Sequence, residues 1–120
     1  MKMVTVKLQG VEVQAALLSP DIMKRFEDGF DKAIKTIETE GKKENVAGSV
    51  AIRRQCQAVI DYVVEIFGED AAKRVFGAET DLLTCLDVLE EMQQLYPDQV
   101  SPFIRQKNEA LKARIKKSEE

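Results

Sequence analysis

Hydrophobic and polar positions alternate along the first fifteen residues. With Gln9-Gly10 at a turn, Leu8 faces Val11, Val6 faces Val13 and Val4 faces Ala15, while Lys7 meets Glu12 and Thr5 meets Gln14 on the other face. One register gathers the aliphatic side chains on one side and sets an opposite-charge pair on the other, which predicts an antiparallel hairpin. Gly10 suits a primed turn, whereas type I′ prefers Asn or Gly where Gln9 stands. A two-stranded hairpin is marginal alone, so its apolar face needs a helix or another chain to cover it.

After Ser19-Pro20-Asp21 the period becomes helical. Ser19 is placed to cap, Pro20 to take the first position and Asp21 to meet the positive end of the helix dipole. Ile22, Phe26, Phe30, Ala33 and Ile37 form one stripe. Gly29 weakens this helix by about 1 kcal/mol relative to Ala unless close packing needs it, and Gly41 can end it. The polar segment 41–48, GKKENVAG, reads as a linker. Ser49 is placed to cap a second helix whose apolar side runs Ile52, Cys56, Val59, Ile60, Val63, Ile66 and Phe67.

Two Phe-Gly steps follow, Phe67-Gly68 and Phe76-Gly77. Each glycine stands where a helix wants a left-handed residue past its end. The stretch therefore reads as a two-cornered connector: a short helix opening on Glu69 and Asp70 joins two longer ones, with Phe67 and Phe76 plugging the core at the corners. Thr80 or Asp81 caps a fourth helix with Leu82, Cys85, Leu86, Leu89 and Met92 inside. Pro97 and Pro102 bracket a break, and Ser101-Pro102 repeats the helix-start dipeptide. The last segment sets Ile104, Leu111 and Ile115 on one narrow stripe with Asn108 between them, too little apolar area for a helix to stand alone. The expected fold is mainly α with a short N-terminal β-hairpin (α+β), a compact bundle of about four helices plus a C-terminal helix. Residues 1–97 form one domain (hairpin 3–17, helical body 20–96), and 98–120 form a basic helical tail.

Charge sharpens that last division. Residues 1–102 carry 12 basic and 18 acidic side chains, a net −6, and residues 103–120 carry 6 basic and 3 acidic, a net +3. An acidic body with a basic tail points to a nucleic-acid arm, a partner-binding segment or a solvated helix. The chain length of 120 residues and hydrophobic share of 44% fit one ordinary globular domain. No apolar run approaches a membrane span, and the N-terminus alternates instead of forming the continuous apolar region of a signal peptide; a cytoplasmic location is expected.

Catalytic chemistry is poorly provided for, and no enzyme activity is expected. Histidine, the commonest general base, is absent. The glycines of 66–77 are too far apart for a phosphate loop. Glu90 and Glu91 are neighbours pointing about 100° apart on a helix, a poor joint metal ligand. No catalytic, metal or cofactor-binding residue is identified. Cys56 and Cys85 lack a CxxC partner and sit on apolar helix sides, as small buried thiols do. If the second and fourth helices pack antiparallel, the two cysteines lie about 10 Å out of step along the helices, beyond the ~7 Å limit for a bridge. No disulfide is expected.

The LQGVEV turn followed by a compact helical body resembles tail assembly chaperones of long-tailed bacteriophages. More specifically, RFEDGF (25–30) and the stretch 52–91 resemble a family of small proteins encoded in phage and prophage tail modules, in which a Gln-Cys helix, an Asp-aromatic step, two Phe-Gly corners and a Cys-Leu helix recur. The resemblance spans about residues 4–95 and leaves the tail outside it. It implies a non-enzymatic chaperone that coats the hydrophobic tape-measure protein, or another tail protein, in the bacterial host cytoplasm, with a tendency to form a homo-oligomer. Two elements suit such a role: an open hairpin edge able to add strands, and the C-terminal helix, with Phe103, Ile104, Leu111 and Ile115 as partner-binding residues. The alternatives are a structural part retained in the tail, or a small nucleic-acid-binding regulator using the basic tail. The acidic body and the single tail aromatic, Phe103, speak against nucleic acid.

Overall fold

The computed structural model describes residues 1–119, with side chains to Lys117. Strands β1 (Val4–Leu8) and β2 (Val11–Ala15) are followed by helices α1 (Pro20–Lys42), α2 (Gly48–Phe67), α3 (Glu69–Phe76) and α4 (Leu82–Gln93); a π turn (Tyr96–Val100) then leads into α5 (Ser101–Glu119). This is the expected mainly helical fold with an N-terminal hairpin.

The hairpin has the register read from the alternation, from Val4 opposite Ala15 to Leu8 opposite Val11. Gln9 and Gly10 both have positive φ, 50° and 74°, the pattern of a type I′ turn. Gln9 is held there by Glu91 of α4, whose carboxylate accepts the Gln9 backbone N–H at 3.1–3.2 Å and also its side-chain amide. Val6, Leu8 and Val13 are buried against the helices.

α1 and α2 form an antiparallel pair crossing at Gly29. A Cβ there would lie 2.7 Å from Cδ1 and Cε1 of Tyr62, so close approach explains a glycine in mid-helix. Tyr62 is itself buried and donates its hydroxyl to the Phe26 carbonyl at 2.7 Å. Phe26 stacks edge-on against Tyr96, with centroids 4.9 Å apart, and Tyr96 donates to the Leu17 carbonyl at 2.7 Å. This aromatic chain ties α1 to α2 and to the end of α4.

The Phe-Gly corners are where they were expected, but the glycines are not in the left-handed helical region. Gly68 has φ 93° and ψ 166°, and Gly77 φ 73° and ψ −166°. That extended, positive-φ region is essentially open to glycine alone, and it turns the chain sharply instead of winding it on. As a result α3 doubles back along α2: with the 77–80 loop it lines a cleft against Gln57, Ile60 and Val64. α4 thus starts beside the middle of α2 and runs parallel to it. The antiparallel expectation is wrong, and so is the separation of the cysteines. Cys85 Sγ lies 4.0 Å from the Cys56 carbonyl oxygen, with both thiols free and buried.

Three cap assignments also change. Ser19 occupies the N-cap of α1 but makes no side-chain cap bond. Ala47, not Ser49, is the N-cap of α2, and α1 runs through Gly41 to Lys42, so the linker is shorter than 41–48. Of the two candidates for α4, Asp81 caps, accepting from Thr84 N at 2.7 Å. Those hydrogen bonds from Thr84 hold the Asp81 carboxyl below its ordinary range.

The largest departure is at Pro97 and Pro102. No break occurs there. The Ser101 N–H bonds to the Tyr96 carbonyl, the five-residue reach of a π turn. An interior proline removes one helical bond and crowds the carbonyl four residues back; the wider turn accommodates Pro97 without ending the helical path. Ser101, with φ −55° and ψ −34°, is already helical and closes the π turn instead of opening a new helix. Packing against the body continues past residue 97, because Val100 is fully buried.

Candidate interaction surface

α5 leaves the body as a straight continuation of the π turn. From Phe103 to Lys117 every residue is exposed, and the molecule measures 72 × 25 × 21 Å as a consequence. Phe103, Ile104, Leu111 and Ile115 are 47%, 42%, 58% and 59% exposed, so all four expected partner-binding side chains are open to solvent. At about 100° per residue, Ile104, Leu111 and Ile115 fall within about 40° of one another, with Asn108 beside them. Phe103 lies about 100° round and does not share the seam. Arg105, Lys107 and Lys112 flank it.

The hairpin edges are partly covered near the turn. Gln99, in the π turn, lays its amide along β1: the Lys7 N–H donates to Gln99 Oε1 at 2.7 Å, and Gln99 Nε2 donates to the Lys7 carbonyl at 2.9 Å. On the other side, Arg74 of α3 donates to the Glu12 carbonyl of β2 at 2.7 Å. Side chains thus take both backbone groups of Lys7 and the carbonyl of Glu12, a partial guard against edge-to-edge pairing.

The corner residues are structural. Phe76 is buried, and Phe67 is half-buried against the core. Neither lies near α5.

A groove of about 330 Å³ opens between α1 and the end of α4, with Tyr96 at the start of the π turn in its lining. Phe26, Phe30 and Tyr96 form its floor, Met23 is 43% exposed at one end, and Glu27 and Asp31 stand on its rim. Burial, aided by the Glu27 charge, raises the Tyr96 hydroxyl pKa. Burial likewise raises that of Tyr62, with smaller contributions from Tyr96, Glu65 and Asp31. Sequence reading missed this groove because Met23, Glu27 and Tyr96 belong to no stripe singled out along the chain. A second cleft, over Gly29 between α1 and α2, is crossed by the Glu40 pairs with Lys43 at 2.8 Å and Arg54 at 3.5 Å.

Residues 9–119 match a family described as a family of unknown function, DUF6673. The chain belongs to that family. The match takes in β2, every helix and the π turn. No curated protein and no solved structure matches the chain.

Among the described residues no group of three or more His, Cys, Asp or Glu is placed to hold a metal ion. Burial pushes the Cys85 thiol pKa up to about 12, with the neighbouring Cys56 adding to the effect, so Cys85 stays protonated and unreactive near neutral pH. Among the described residues no helix is long and apolar enough to cross a membrane. The most prominent feature of this DUF6673 member is an amphipathic, basic helix held out from an acidic body.

Proposed function

We propose that the protein is a non-enzymatic assembly factor whose working element is α5, and that its client is a long helical tail protein of the tape-measure kind. The observation that carries this reading is the exposed seam of Ile104, Leu111 and Ile115 on a projecting helix. A helix with one apolar seam recognises a partner helix or groove through side chains three, four and seven apart. A helical protein awaiting assembly presents such surfaces in series. The resemblance of residues 4–95 to phage tail-module proteins supplies the context, and the bacterial cytoplasm is the compartment in which such a client is made.

The test is capture of a purified tape-measure fragment by the full chain and by a chain ending at residue 102, at low and moderate salt. Capture by the full chain alone supports the reading. Equal capture by both would remove α5 from the role, and no capture by either would remove the client. If capture holds, mass analysis of purified particles separates a chaperone, which leaves, from a tail component, which stays.

A further inference from the structure

α5 needs an acidic, apolar seat, and its own chain carries one that it does not reach. We propose that in the free protein α5 of one copy lies in the groove of a second copy, with Ile104, Leu111 and Ile115 over Met23, Phe26, Phe30 and Tyr96, and its basic flanks against Glu27 and Asp31.

Three observations lead to this occupant. First, pairing of two α5 helices with each other is opposed. Arg105, Lys107 and Lys112 flank the seam, and in a coiled coil the flanking positions meet across the interface. Parallel or antiparallel, such a pair sets basic side chains against basic ones. Second, the charges of arm and body are complementary: residues 103–117 carry six basic side chains and Glu109, a net +5, against −6 for residues 1–102. Complementary charge speeds encounter and selects the partner. Third, the groove has the form of a helix seat. It lies between α1 and the end of α4, its floor is aromatic, Met23 projects at one end, and both charged residues on its rim are acidic.

The contact forms between copies because α5 cannot turn back on its own body. The helical path from the π turn into α5 is continuous, and Val100 and Gln99 fix its root. The groove, which no α5 residue of its own chain lines, is therefore open to the arm of another copy. The proposal stands whether or not a tail protein is the client; where one is, client and second copy compete for the same seam.

The experiment is sedimentation of the full chain over a range of concentrations, beside Leu111→Glu, Met23→Glu, the double variant Glu27→Lys/Asp31→Lys, and that groove variant mixed with Lys107→Glu/Lys112→Glu. All the substituted side chains are at the surface, and thermal melts check that each variant folds. The full chain is expected to self-associate, more strongly at low salt. Leu111→Glu and Met23→Glu should each raise the dissociation constant about tenfold or more, as loss of an apolar anchor does. The reversed groove should also weaken association, and the mixture with the reversed arm should restore it. A full chain that stays monomeric overturns the proposal. So does self-association that Leu111→Glu abolishes and Met23→Glu leaves unchanged, which would pair α5 with something other than this groove.

Discussion

α1 and α5 are helices of similar length, 23 and 19 residues, that begin near the same Ser-Pro dipeptide and put their apolar side chains to opposite use. α1 buries Phe26, Gly29 and Ala33 and packs Ile22, Phe30, Ile34 and Ile37 against the core. α5 buries no side chain from Phe103 to Lys117. Width separates them more than hydrophobicity does. The α1 side chains cover a broad face, with a glycine at the crossing to admit Tyr62. Those of α5 make a line one residue wide between basic flanks. A broad face builds a core, whereas a narrow charged seam suits a surface met later.

The comparison can be broken at its buried end first. Phe76→Ala should cost about 3–5 kcal/mol, the usual loss for a buried phenylalanine, and Phe67→Ala about 1–2 kcal/mol, because part of that ring is already in water. Denaturant melts of the two variants check the order; equal losses would mean that the corners bear equal load. Next, Gly29→Ala should destabilise by about 1–3 kcal/mol through overpacking against Tyr62. Its sign is the informative result, since the same change in an uncrowded mid-helix site stabilises by about 1 kcal/mol.

A subtler measurement uses pH. The Tyr62 pKa is raised by burial, so the folded chain keeps that proton at a pH where the unfolded chain releases it. Its stabilisation is complete below the ordinary tyrosine pKa of about 10 and is lost as pH rises beyond it. Melts from pH 8 to 11 should show stability falling above about pH 10, with a shallower fall in Tyr62→Phe; equal slopes would remove Tyr62 as the cause. The smallest effect belongs to the arm. Leu111→Ala, measured at high dilution, should change stability by no more than about 0.5 kcal/mol, as exposed sites do. A larger loss would mean that α5 packs on its own body.

Local pattern carried most of the fold. The hairpin register was legible because a period of two and the Lys7–Glu12 pairing agree on one alignment. The Phe-Gly corners were legible because glycine marks a stop wherever it ends an apolar stripe. The direction of travel after a stop was not, since it depends on the ψ of Gly68 and Gly77, and so α4 was placed antiparallel to α2 when it is parallel. Pro97 and Pro102 misled for a related reason: a proline signals a missing hydrogen bond, but not whether a π turn absorbs it. At the interaction surface, Ile104, Leu111 and Ile115 were readable from their spacing, whereas Phe103, also expected to bind a partner, lies off the seam. The groove at Met23 and Tyr96 was illegible because two distant segments build it.

The Gln99 clamp on Lys7 sets an order of events during synthesis. β1 leaves the ribosome well before the amide that covers Lys7, which lies 92 residues further on. At about 5–20 residues per second, the strand waits roughly 5–20 s for that cover. For that interval the nascent chain holds a valine-rich edge with backbone groups still open to a neighbouring chain. Closure comes when the segment at the base of α5 has been made and its π turn has formed. The base of α5 thus covers a strand made long before it.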